Sequence, residues 1–461
     1  MMCRSYLPLA LAALSCVVAG CATPLPESLE KPVVPAFWRE APPAAGSSEV
    51  QHERWWHAYG SDALDRLVQQ ALEQNLSVHA ADHRLAAAHT LNASAWAAIW
   101  PTASIGVQGA RDASARDNFM HMGVDVAWPL TLPVERQALY RLAQGQIAAE
   151  LGEQQSVHAA VAAEVVRSWL QARYVAQRLQ IERRAWASEN AAITYLEHRV
   201  KAGLLTDDVL LAARSEADSR RRKIVASEST LHDLAQALAI LLGRHTPEPS
   251  WTTFDEPQPG GPPCMVAAMG DRLPTAWLAG RPEVAIARAQ VLRAAGDVGM
   301  AQAALYPRVM LGMSWIYAKN ISRDRRHANE SQPMISPFVD LPIWDWGMRR
   351  ATRDAQAHAL KAALASYHAV LLNAYGETEV ALRGLSASRE LGALARAQDE
   401  RAALVWRRAQ VGVRAGIVDP IDAQAHYRAY CDAQGALAAQ ALNEHLAFAA
   451  LHRHRSLEAA P

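Results

Sequence analysis

The sequence predicts a mainly α protein with a small β part, internally duplicated and built on very long helices. Three observations carry that reading. Proline is absent from Val134 to Ala202 and again from Ile343 to Asp419, and good helix formers such as Ala, Leu, Arg, Gln and Glu dominate both stretches. Residues 120–128 and 309–317 alternate with the period of two that marks a strand. The third observation is repetition. Pro129 in "VAWPLTLPVERQAL" aligns with Pro342 in "VDLPIWDWGMRRAT", and Gly203 in "HRVKAGLLTDD" aligns at the same offset with Gly416 in "GVRAGIVDPID".

Residues 1–20 read as a signal peptide: Arg4 is followed by the apolar run "YLPLALAALSCVVAG" (6–20), too short for a confident membrane span. The small residues of "VAGC" resemble a bacterial lipobox, which would make Cys21 the lipidated first residue of the mature chain. The alternative is an ordinary signal peptide with Cys21 left as a spare thiol. Residues 21–54 then form a tether, and Ala22 after the cysteine favours the outer membrane, by resemblance to enterobacterial lipoproteins.

The first repeat is assigned to 55–243, a Pro/Gly-rich connector to 244–270, the second repeat to 271–455 and a tail to 456–461. Each repeat reads as helix, strand, polar loop, strand, very long helix, Gly turn, helix. About 69 residues at roughly 1.5 Å per residue would span on the order of 100 Å, more than a globular domain needs. The closing helices are expected from about Thr206 to Leu242, ended by Gly243 and Pro247, and from Pro420 to His454.

Met120, Met122, Val124, Val126 and Trp128 share one strand face, as do Val309, Leu311, Met313, Trp315 and Tyr317. The partner strands, 102–110 and 334–342, alternate less regularly. Segments of nine or ten residues, apolar on one face and small or polar on the other, have the pattern of transmembrane β-barrel strands. The half-buried hairpins of a soluble domain would show it too. Trp96, Trp100, Trp128, Trp344 and Trp346 fall at helix–strand junctions, where an interfacial aromatic belt would lie. Four strands cannot close a barrel, and lipid does not tolerate open edges. Three copies would supply twelve strands, so a homotrimer is expected.

Zero formal net charge gives no general attraction to nucleic acid. No Gly-rich phosphate loop, G-x-S-x-G, C-x₂-C or H-E-x₂-H is present, so an enzyme is not expected. His79 and His83 have a metal-compatible spacing without a third ligand, so no metal and no cofactor is expected beyond the lipid on Cys21. Cys3 and Cys16 leave with the signal; Cys264 and Cys431 either pair or stay free.

With these residues in view, the chain resembles the TolC-like outer membrane factors, in particular the OprM-like and NodT-like lipoprotein branch. The resemblance rests on "WWHAYGSDALDRLVQQALEQNLSVHAADHRLAAA" (55–88), "RPEV" (281–284) and "LPIWDWGMRR" (341–350), together with the duplication and strand order. It implies a trimeric periplasmic α-barrel of twelve helices continuing from a 12-stranded outer-membrane β-barrel, four strands per chain. It also implies partners: a periplasmic adaptor, an inner-membrane pump of the resistance-nodulation-division type, and outer membrane lipid, but no nucleic acid. The Gly turns would be the hairpin tips that meet the adaptor, a role carried to Val200, Gly203, Leu204, Val413, Gly416 and Ile417. "IVDPIDAQ" (417–424) resembles a segment whose acids face the closed pore end, which makes Asp419 and Asp422 candidate gate residues. Helix capping explains the same two acids, and both roles can coexist.

Two departures stand out. "WPLTLPVERQ" lacks the family's acid-aromatic-Gly element, which puts the first barrel-to-tunnel joint in doubt. The spacing of Gly412 and Gly416 leaves the register of the second tip open. The expected function is a passive exit duct for small molecules or drugs in a tripartite efflux system. A type I protein secretion channel and a periplasmic coiled-coil scaffold lipoprotein are the alternatives.

Overall fold

The computed structural model describes residues 34–40, 52–112, 117–252, 274–320 and 330–453. The signal segment, Cys21, Cys264 and the tail 456–461 lie outside the described residues. After a 3₁₀ segment, His52–Tyr59, come α1 (Asp62–Gln74), α2 (Leu76–Ala97), β1 (Thr102–Asp112), β2 (Asp117–Leu130), α3 (Pro133–Lys201) and α4 (Asp207–Leu241). A second 3₁₀ turn, Pro249–Thr252, precedes α5 (Pro274–Ala279), α6 (Pro282–Ala303), β3 (Arg308–Asn320), β4 (Glu330–Asp340), α7 (Met348–Arg414) and α8 (Pro420–His452).

One compact unit comprises His83–Glu153 and Glu283–Leu371 and contains the sheet. The strands run antiparallel in the order β1-β2-β3-β4, so the central pair joins the two repeats. The register decides what each face presents. Ile105 lies opposite Val124, which lies opposite Trp315; Val126 lies opposite Met313, which lies opposite Ile335. Because side chains alternate with period two, this register gathers most of the apolar residues of β1, β2 and β3, with Ile335 and Val339 of β4, on one face, while Met310, Ile316, Met334 and Phe338 fall on the other. Ile105, Val124, Trp315 and Ile335 are all exposed. The other face is mixed, and Ser314 donates a 2.6 Å hydrogen bond to Asp125 there. β1 and β4 each have one neighbour, so each leaves an unpaired edge.

In the same unit α3 lies tightly against α6. A Cβ on Gly299 would meet the Ala138 Cβ at 2.7 Å, and one on Gly145 would meet the Ala289 carbonyl at 3.0 Å. Gly145, which looks like a weak point in a helix, is a place of close backbone approach.

The long helices are 69 residues for α3 and 67 for α7. They start differently. α3 opens on Pro133 two residues after β2, and proline suits a first helical position because its missing N–H has no partner to lose. α7 begins only at Met348, after a knuckle in which Trp346 and Gly347 have φ of 56° and 83°. Asp345 builds that knuckle by accepting from the Gly347 N–H at 3.0 Å and the Arg349 N–H at 3.1 Å. A proline-free stretch therefore overstates the second helix by several residues.

The other unit comprises the described residues of Val34–Asp82, Gln154–Pro282 and Leu372–Pro461. Asn75 ends α1 and starts α2: its Oδ1 accepts from the Ser77 N–H at 2.8 Å, while its Nδ2 donates to the Leu241 carbonyl at the end of α4. α8 ends at His452 amid buried Trp55, Tyr59 and Phe448, and Tyr59 Oη donates to the His445 carbonyl at 2.8 Å. Burial, with the nearby Arg173 charge, pushes the His445 imidazole down to about 4. A histidine with a depressed folded-state pKa loses stability as pH falls from its unfolded value, near 6.5, towards 4. Unfolding followed by circular dichroism should therefore show a loss of about 3 kcal/mol per chain across that window. His445→Gln should flatten the dependence; an unchanged slope would contradict the assignment.

Candidate functional site at the hairpin tips

Both Gly turns are built alike. At the end of α3 the Leu204 N–H donates to the Arg199 carbonyl at 2.9 Å and the Gly203 N–H to the Val200 carbonyl at 2.8 Å. At the end of α7 the Ile417 N–H donates to the Gly412 carbonyl at 2.9 Å and the Gly416 N–H to the Val413 carbonyl at 3.1 Å. Paired six-to-one and five-to-two bonds of this kind form a Schellman turn, which needs a left-handed residue at its centre. Gly203 and Gly416 supply it with φ of 71° and 72°, and neither has an atom within 4 Å of where a Cβ would stand. Glycine is required there for backbone conformation rather than for space.

The structure settles the register of the second tip. Gly416 is the turn residue; Gly412 is helical, and a Cβ there would run into the Val418 side chain. Leu204 and Ile417 occupy equivalent positions and project into solvent, Ile417 at 82% exposure. Val200 and Val413, one turn back, are half-buried. Each tip thus offers an exposed aliphatic residue beside a bare glycine.

Asp419 is the N-cap of α8: its Oδ1 accepts from the Ile421 N–H at 2.9 Å. Its other oxygen takes a 2.7 Å ion pair from Arg199. The backbone hydrogen bond from Ile421, then Arg199, hold its carboxyl below the usual aspartate range. Such a group keeps its stabilising contribution at neutral pH and loses it only as pH falls through that lowered value. Asp422 sits exposed in the first turn of α8. In the first repeat Thr206 holds the N-cap position without a side-chain cap bond, and Asp207 and Asp208 face the helix dipole.

Arg199 was not evident as a site residue, yet the duplication contains the signal. It aligns with Gly412, and Asp419 aligns with Thr206. Both ends of the ion pair fall where the repeats differ, so the chain makes this cross-link between its tips once. Arg220 on α4, with 2% exposure, was also missed; it bonds Glu189 at 2.9 Å and Glu182 at 3.0 Å on α3 and Asp432 at 3.2 Å on α8. Beside it Cys431 is buried as a free thiol with Ile181 and Ala185. His79 and His83 are exposed on α2, and no cluster of three potential metal ligands forms among the described residues.

Comparison with known proteins adds to this geometry. The chain is 26% identical over 395 residues to the pyoverdine export outer membrane protein OpmQ of Pseudomonas aeruginosa, covering 80% of each. It is 28% identical to Nodulation protein T of Rhizobium leguminosarum bv. viciae over 372 residues, 78% of this chain and 73% of that one. The outer-membrane channel OprN has the same fold, with a TM-score of 0.78 at 21% identity, covering 95% of this chain and 98% of that one. The profile of the family described as "Outer membrane efflux protein" matches residues 67–244 and 273–454, and the chain belongs to that family.

Proposed function

We propose that three copies of this chain close a twelve-strand barrel in the outer membrane and a twelve-helix tunnel in the periplasm. The assembly is a passive exit duct for small molecules, with Cys21 as its lipid anchor. The observation that supports this most strongly is the sheet: one mostly apolar face and two unpaired edges, which a lone chain can place neither in water nor in lipid. Energy comes from an inner-membrane pump of the resistance-nodulation-division type, linked through a periplasmic adaptor. The adaptor meets the tips at Val200, Gly203, Leu204, Val413, Gly416 and Ile417. Export of small molecules accords with the name of OpmQ, which refers to pyoverdine. A heat-modifiable trimer in outer membrane fractions is the expected result, and recovery from the soluble periplasm would contradict it.

Asp419 and Asp422 are proposed as the gate at the tips. Three-fold symmetry would bring their carboxylates towards the axis, where they attract cations, while the Arg199 bond ties one tip to the other. Asp419→Ala with Asp422→Ala should raise single-channel conductance in planar bilayers. Unchanged conductance would reduce the two residues to helix-start groups.

A further inference from the structure

We propose that the cavity at the joint between β4 and α7 binds the phosphate headgroup of a glycerophospholipid. The inference rests on the sheet being lipid-facing and goes beyond it by naming a ligand and its contacts. The cavity, about 620 Å³, is lined by Ile343, Trp344, Asp345, Trp346, Arg349 and Arg350 among others. Trp344 and Trp346 are 75% and 89% exposed and stand edge to face at 5.4 Å. Trp346 holds its ring out from a left-handed backbone, a conformation that costs a non-glycine residue energy and recurs at ligand sites.

Position and charge point to one occupant. The paired Arg308 and Asp340 close the sheet at this end, immediately past apolar Val339, so the cavity lies where a lipid-facing band would give way to water. Tryptophan prefers that boundary. Arg349 is partly used: it donates to the Ala304 carbonyl at 3.0 Å and stands 3.6 Å from Asp345. Asp345 is itself engaged by two backbone N–H groups. Arg350 is exposed, and no acid among the described residues pairs with it. A guanidinium matches phosphate geometry, and the indoles suit the acyl–glycerol end of the same molecule.

The duplication supplies a contrast. Arg136 aligns with Arg349, but at the first joint Trp96 and Tyr140 pack edge to face at 6.4 Å. Arg136 is held there by Thr131 at 3.0 Å, and the cavity it lines with Trp96 and Tyr140 has about 20 Å³.

The test is native mass spectrometry of the detergent-purified full chain titrated with phosphatidylglycerol. Arg350→Ala should weaken retention about tenfold while assembly is unchanged, and Trp344→Ala with Trp346→Ala should weaken it as well. Millimolar inorganic phosphate should not displace the lipid. Displacement would mark a free-anion site and overturn the proposal. So would equal retention by all variants, or loss of assembly in the tryptophan variant, which would make this surface a subunit contact. Wild-type protein that neither assembles nor inserts would overturn the outer membrane reading beneath it; equal retention in an inserted channel would overturn this site alone.

Discussion

Val124→Arg is expected to abolish the membrane-inserted assembly. Val124 lies mid-strand between Ile105 and Trp315, at the centre of the apolar face. An arginine facing lipid near the midplane of a barrel costs about 2–4 kcal/mol, and the proposed trimer would bear that cost in each of its three chains. Asp125→Asn is the control, one residue along on the opposite face, where it weakens only the bond from Ser314. The yield of heat-modifiable trimer in outer membrane extracts should collapse for the first variant and persist for the second. Equal yields would mean that this face does not meet lipid.

Arg220→Met is expected to give the largest loss of stability outside the sheet. The methionine fills much of the arginine volume but leaves Glu182 and Glu189 buried without the guanidinium that bonds both, and Glu189 is only 5% exposed. Burial already pushes the Glu189 carboxyl above the usual glutamate range despite the Arg220 bond. Removing one partner from a buried ionic group typically costs about 3–5 kcal/mol, because the remaining charge stays desolvated. Thermal unfolding at neutral pH in detergent should show the drop. Adding Glu182→Gln and Glu189→Gln should restore part of it, since neutral amides are cheaper to bury than stranded carboxylates. A melting temperature unmoved by Arg220→Met would mean that the cluster is hydrated and unimportant.

What the sequence revealed was mostly local. Strand alternation, helix-forming composition and the repeated glycines each depend on neighbours in the chain, and the structure places four strands and both Schellman turns there. The knuckle at Asp345, Trp346 and Gly347 was hidden because the absence of proline does not require a helix, and here an Asp-x-Gly turn delays the start of one. Gly145 depends on what crosses it, and α6 is remote in sequence. Arg220 looks like any solvated helix residue until three helices bring acids around it. The Arg199–Asp419 pair spans 220 positions, beyond any periodicity, yet it could have been sought where the two repeats disagree.

The account stands most directly on the molar mass of the full chain in detergent, measured by light scattering with and without protein crosslinking. It predicts a particle of three chains whose assembly requires detergent or lipid, because the edges of β1 and β4 close only against other copies. A monodisperse single chain, stable in plain buffer with both edges open, would contradict it.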